Sequence, residues 1–102
     1  MNVRSRDWNE GLAQQLRDPA FAAEFVKAAL EEGIPLQAAL GKLVRSVGVK
    51  EYAARVGMAP PNLVRALDPS RNVTQETLNR LLRPLGLRLS VEPIAEDPGR
   101  AA

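Results

Sequence analysis

The sequence predicts a mainly α-helical domain closed by one short β-strand. Three observations carry this expectation. Apolar residues recur at three- and four-residue spacings through most of the 102 residues, the period of helices that bury one face. Pro and Gly punctuate the pattern where helices should start and stop. Near the end, Leu87-Arg-Leu-Ser-Val91 alternates apolar and polar, the period of a strand with one buried face. Trp8, Phe21, Phe25 and Tyr52 are the only aromatic residues, so the core must be built from Leu, Val and Ala, which suits packed helices.

The elements follow in order. Trp8, Leu12 and Leu16 form an i, i+4, i+8 stripe, and Asp7 with Glu10 has capping-box spacing, which predicts a helix over roughly residues 6–17. Asp18-Pro19 ends it and starts a second, with Asp18 as cap and Pro19 in the first turn, where its missing N–H is not needed. Ala22, Phe25, Val26, Ala29 and Leu30 make the face of this helix, and Gly33 closes it. Ile34-Pro35 repeats the start signal for a third helix with Leu36, Leu40, Leu43, Val44 and Val47 on one stripe. Gly41 interrupts it at about 1 kcal/mol against Ala, room for another helix to approach closely. Two short helices follow, Lys50–Val56 and Pro60–Leu67, broken at Gly57. Beyond the polar loop 68–72, Thr74 caps a last helix carrying Leu78, Leu81, Leu82 and Leu85, which Pro84 and Gly86 terminate. The expected organisation is a helical extension over 1–33, a domain over 34–91 and a frayed tail over 92–102.

Composition excludes several chemistries. There is no Cys and no His, which removes disulfides, thiolate nucleophiles, Cys/His zinc sites and His-based acid–base schemes. The scattered carboxylates have no recognisable catalytic setting, so neither an enzyme nor a cofactor is expected. No apolar run reaches about 20 residues and MNVRSRDWNE lacks a signal-type apolar stretch, so no membrane segment and a cytoplasmic protein are expected.

Charge is uneven although the net is only +2. Residues 1–33 hold four basic and six acidic side chains; residues 34–91 hold nine basic and three acidic. Arg dominates the basic part, and its fork suits phosphate and guanine, which favours a nucleic-acid partner. The only aromatic of that region is Tyr52, so stacking on single strands or RNA is not expected.

KEYAARVGMAPPNLVRAL (50–67) meets the demands of a helix-turn-helix in one register. Ala53 is small where the two helices touch, and Gly57, four residues on, tolerates positive φ in the turn. Met58, Leu63 and Leu67 anchor the second helix from below. Its outward face then presents Pro61, Asn62, Val64 and Arg65 to DNA bases. Arg65 is placed for guanine O6/N7, Asn62 for adenine or a phosphate, and Pro61 and Val64 for a thymine methyl. Lys50, Arg55, Arg71, Asn72 and Thr74 are placed for the phosphate backbone. Pro60-Pro61 stiffens the helix entry and removes two N–H donors, so specificity must rest on few side chains. A lone strand leaves unpaired edges, so Leu87, Leu89 and Val91 are expected to join a second copy or a partner's sheet.

The segments LVRSVGVKEYAARVGMAPPNLVRAL, DPSRNVTQETLNRLL and LGLRLSVEP resemble small lambda-repressor (Xre)-type helix-turn-helix regulators, in particular HigA-type and addiction-module antidote antitoxins; DPAFAAEFVKAALEEG is similar to the helical N-terminal part of that antidote group. The resemblance implies a lambda-repressor-like helix-turn-helix domain with extra N-terminal helices, usually homodimeric. It also implies repression of the protein's own operon at a palindromic double-stranded site, and neutralisation of a RelE/ParE-like toxin. Pro60-Pro61 departs from the polar residues common at that helix start. Two other readings stay open at this point: a phage-type repressor without a toxin, and a protein-interaction module that does not bind DNA.

Overall fold

The computed structural model describes residues 11–95, which form helices and loops. Trp8, the Asp7–Glu10 box and the tail from residue 96 lie outside the described residues. Within them α1 covers residues 11–16, α2 Pro19–Glu31, α3 Leu36–Val47, α4 Val49–Val56, α5 Pro60–Ala66 and α6 Gln75–Leu82, followed by a 3₁₀ turn at Arg83–Leu85. The mainly α expectation holds.

Local signals explain the boundaries. The Asp18 side chain accepts from the Ala20 N–H at 3.1 Å and Pro19 occupies the first turn of α2. At the far end the Ile34 N–H donates to the Ala29 carbonyl and the Gly33 N–H to that of Leu30, both at 3.0 Å, the paired bonds of a helix closed by a left-handed residue. Thr74 caps α6, its hydroxyl oxygen accepting from the Thr77 N–H at 3.1 Å. Pro84 sits inside the 3₁₀ turn that follows the end of α6 at Leu82.

One core joins all the helices: Leu16, Ala22 and Val26 from the first two, Leu40, Leu43, Val44 and Val47 from α3, then Tyr52, Val56, Leu63, Leu81 and Leu85. The expected extension over 1–33 thus shares its core with the rest, as far as it is described. Two packing details differ from the sequence reading. Ala23 joins the buried face of α2, whereas Leu30 is 44% exposed. Gly41 is buried under the guanidinium of Arg45 on its own helix, where an added Cβ would meet Nη1 at 3.2 Å, so a side chain rather than another helix makes the close approach.

Leu87–Val91 is not a strand in the single chain, and the described residues contain none. A strand needs a ladder, and here the backbone bonds inward instead: the Leu87 N–H donates to the Leu82 carbonyl at 3.2 Å and the Leu89 N–H to Asn79 Oδ1 at 2.6 Å. Leu87 and Leu89 are half-buried against the core, while Val91 is 96% exposed.

Tyr52 ties α4 to α6. Its side chain is fully buried and its hydroxyl donates to the Leu81 carbonyl at 2.6 Å, one of the carbonyls a helix end leaves without an intrahelical partner. Burial pushes the phenol up to about 12, against a smaller opposing pull from Arg55. The folded pKa is raised above the unfolded value of about 10, so folding favours the neutral phenol. Its stability contribution is complete below pH 10 and is lost as pH rises towards 12. Chemical denaturation between pH 9 and 12 should therefore show a steeper loss of stability in the wild type than in Tyr52→Phe. Parallel pH profiles would remove this role for the phenol.

Candidate nucleic-acid interface

The local sequence fixes how α4 and α5 meet. Ala53 is 1% exposed at the contact. Gly57 has φ +70°, a left-handed conformation that a Cβ would strain. The Met58 N–H bonds the Ala53 carbonyl at 3.0 Å, closing α4, and two residues later α5 begins at Pro60. Arg80 of α6 seals the same end, donating from Nε to the Val56 carbonyl at 2.8 Å and from Nη2 to the Gly57 carbonyl at 2.7 Å. An added Cβ on Gly57 would approach Arg80 Nη2 to 3.2 Å.

α5 starts without a side-chain cap at Ala59, with Pro60 and Pro61 in its first turn. Leu63 is fully buried and Ala66 and Leu67 nearly so, with Met58 half-buried beside them. Pro61, Asn62, Val64 and Arg65 face out. Arg65 Nη2 donates to Asn62 Oδ1, so the guanidinium is held by a neighbour one turn back.

The loop after α5 is also ordered by side chains. Asp68 Oδ1 accepts from the Ser70 N–H at 3.0 Å and the Ser70 hydroxyl at 2.8 Å, and these bonds hold its carboxyl below the usual carboxylate range. Asp68 also lies 3.7 Å from Arg71 Nε. Asp68 thus shapes the loop that follows α5. Gln37 of α3 reaches across, its Nε2 donating to the Ala66 and Asp68 carbonyls at 2.9 Å each.

These devices bring five of the predicted contact residues together. Asn62, Arg65, Arg71, Asn72 and Thr74 line one open groove of about 560 Å³ between α5, the loop and α6. Val64 and Arg65 turn towards a second groove that Arg45 and Arg71 also line. Arg65 and Arg71 therefore stand between two concave surfaces. Lys50 is exposed at the start of α4 and lines neither groove. Arg55 is placed elsewhere: it pairs with Glu51 at 3.3 Å and lines a separate hollow with Arg80 and Arg83. Thr74 spends its hydroxyl within α6, donating to Thr77 Oγ1 at 2.9 Å.

Sequence reasoning missed Arg80 and Gln37, which fix the two ends of the unit, and Arg17, which bonds Glu51 at 3.1 Å and the Val47 carbonyl at 3.2 Å. Their partners are mostly backbone carbonyls from 23 to 34 residues away, and no spacing rule reports such contacts.

No helix among the described residues is long and apolar enough to cross a membrane. No curated protein and no solved structure matches the chain. A family model described as a probable addiction module antidote protein matches residues 9–93, which covers α1 to α6 and the extended segment after them. The chain belongs to the probable addiction module antidote protein family.

Proposed function

We propose that this antidote protein is a sequence-specific regulator that binds double-stranded DNA with α4 and α5 as a lambda-repressor-like helix-turn-helix. In this reading it represses its own operon and neutralises a RelE/ParE-like toxin. The observation that carries the DNA part is the groove beside α5, where Asn62, Arg65, Arg71, Asn72 and Thr74 converge. Arg65 reads guanine, oriented by Asn62, while Pro61 and Val64 pack against thymine methyls. Arg71 and Asn72 hold phosphate, with Lys50 and Arg55 reaching the backbone further out.

One such unit buries little DNA, so two copies read a palindrome, with the two α5 helices about 34 Å apart in successive major grooves. The segment 87–91 supplies the dimer contact. Its Leu87 and Leu89 N–H groups are engaged inward, so the opposite edge, at Arg88 and Ser90, is the one to pair with a second copy. A mobility-shift titration at physiological salt should give the protein's own promoter at least about 10³-fold preference over random DNA. Equal affinities would end the repressor reading. The family description favours an antidote over a phage-type repressor without a toxin.

A further inference from the structure

Arg45 belongs to α3, outside the α4–α5 unit, yet it stands in the groove of about 410 Å³ on that side of α5. The charged side chains lining this groove are three arginines, Arg45, Arg65 and Arg71, and one carboxylate, Asp68. Asp68 is already committed to Ser70 and lies 3.7 Å from Arg71. Arg65 bonds Asn62. Arg45 pairs with no carboxylate among the described residues and is exposed. The groove therefore carries surplus positive charge, and its apolar walls, Val49 and Val64 among them, focus that field.

Gly41 explains how Arg45 is held. It lies within regular helix without a positive φ, so the backbone does not require glycine there, and glycine weakens a helix interior. Helical side chains lean back over the preceding turn, which puts residue 45 above residue 41. The three atoms nearest to a Cβ added at Gly41 all belong to the Arg45 guanidinium: Nη1 at 3.2 Å, Nη2 at 3.3 Å and Cζ at 3.6 Å. Gly41 is thus a seat on which the guanidinium lies flat against the helix, already placed before any ligand arrives. The position of the groove indicates the ligand. Arg65 lines both grooves beside α5: one reaches towards α6 with Asn72, the other towards α3 with Arg45. A helix seated in the major groove has a phosphate strand on either flank. Arg71 and Asn72 serve one flank, and Arg45 is the cation that α3 presents to the other.

We propose that Arg45, seated on Gly41, grips a backbone phosphate of the DNA strand on the α3 side of α5. This rests on the DNA-binding reading given above. The test titrates the full chain against its own promoter duplex and a random duplex of equal length, from 50 to about 200 mM salt, with a urea curve for each variant. Arg45→Ala should weaken both duplexes alike, keep the preference between them, and flatten the salt slope by about one unit. Its deficit should therefore shrink about threefold across that salt range. The urea midpoint should not fall, because the side chain is exposed and unpaired. Gly41→Leu fills the seat while Arg45 stays in the sequence. It should reproduce the binding deficit and add none in the Arg45→Ala background. Wild-type affinities and salt slope in Arg45→Ala, beside a wild-type chain that prefers its promoter, overturn the phosphate assignment and leave the DNA-binding reading standing. A loss confined to the promoter makes Arg45 a base contact and overturns it as well. A Gly41→Leu deficit that persists without Arg45 refutes the seat. A wild-type chain that binds neither duplex removes the DNA-binding reading and this role with it.

Discussion

Leu63→Ala should lower the unfolding free energy by about 2–5 kcal/mol, a large share of what a small domain has. Leu63 is fully buried and is the side chain of α5 that reaches deepest into the common core. The rest of α5 gives it little independent support. The helix spans seven residues, begins with two prolines and has no side-chain cap. A helix that short is not stable alone in water, so its position depends on Leu63, Ala66 and the Gln37 bonds at its far end. The loss should be seen in urea as a lower midpoint with little change in slope. Leu63→Met keeps most of the volume and should cost under about 1.5 kcal/mol. DNA affinity should fall with Leu63→Ala beyond what the unfolded fraction explains, because a loosened α5 no longer holds Arg65. A stability loss under about 1 kcal/mol would show that α5 is anchored by other contacts.

The helices were legible because their causes are local. Asp18-Pro19, Gly33, Thr74 and Gly86 act on the few residues beside them, and each ends or starts a helix where its chemistry predicts. Apolar spacing found nearly all of the α3 core, since Leu40, Leu43, Val44 and Val47 all lie on one stripe. The Ala53–Gly57–Leu63 register carries the packing demands within eleven residues, and the structure buries Ala53 and Leu63 and turns the chain at Gly57.

What stayed hidden depends on contacts distant in sequence. Arg80 and Gln37 read as ordinary polar surface residues, yet each bonds backbone carbonyls at one end of the α4–α5 unit. The segment 87–91 shows the reverse limit. Its alternation correctly places Leu87 and Leu89 inward, but pairing is a property of two chains and no single sequence pattern supplies the ladder. The groove that Arg45 shares with α5 is of the same kind, because its walls come from α3, α4, α5 and the following loop.

Arg65→Ala and Lys50→Ala should separate two kinds of DNA contact. Arg65 lies on the outward face of α5 with one nitrogen engaged by Asn62, which limits the guanidinium to few orientations and leaves its other donors for a base edge. Its removal should cost about 1–3 kcal/mol on the operator and little on random DNA, so the preference between them shrinks. Asn62→Ala should act in the same direction but less, and should add little once Arg65 is gone, because the two side chains work as one unit. Lys50 is an exposed cation at the first turn of α4 and touches neither groove. A phosphate contact there is indifferent to sequence, so Lys50→Ala should weaken every duplex alike and flatten the salt dependence of binding by about one unit of slope. The salt series is the deciding measurement, because affinity alone cannot distinguish a lost base contact from a lost phosphate contact. If Arg65→Ala flattens the salt slope as Lys50→Ala does and leaves the operator preference intact, then Arg65 holds phosphate. The reading of sequence would then pass to Val64, Pro61 and the shape of the duplex.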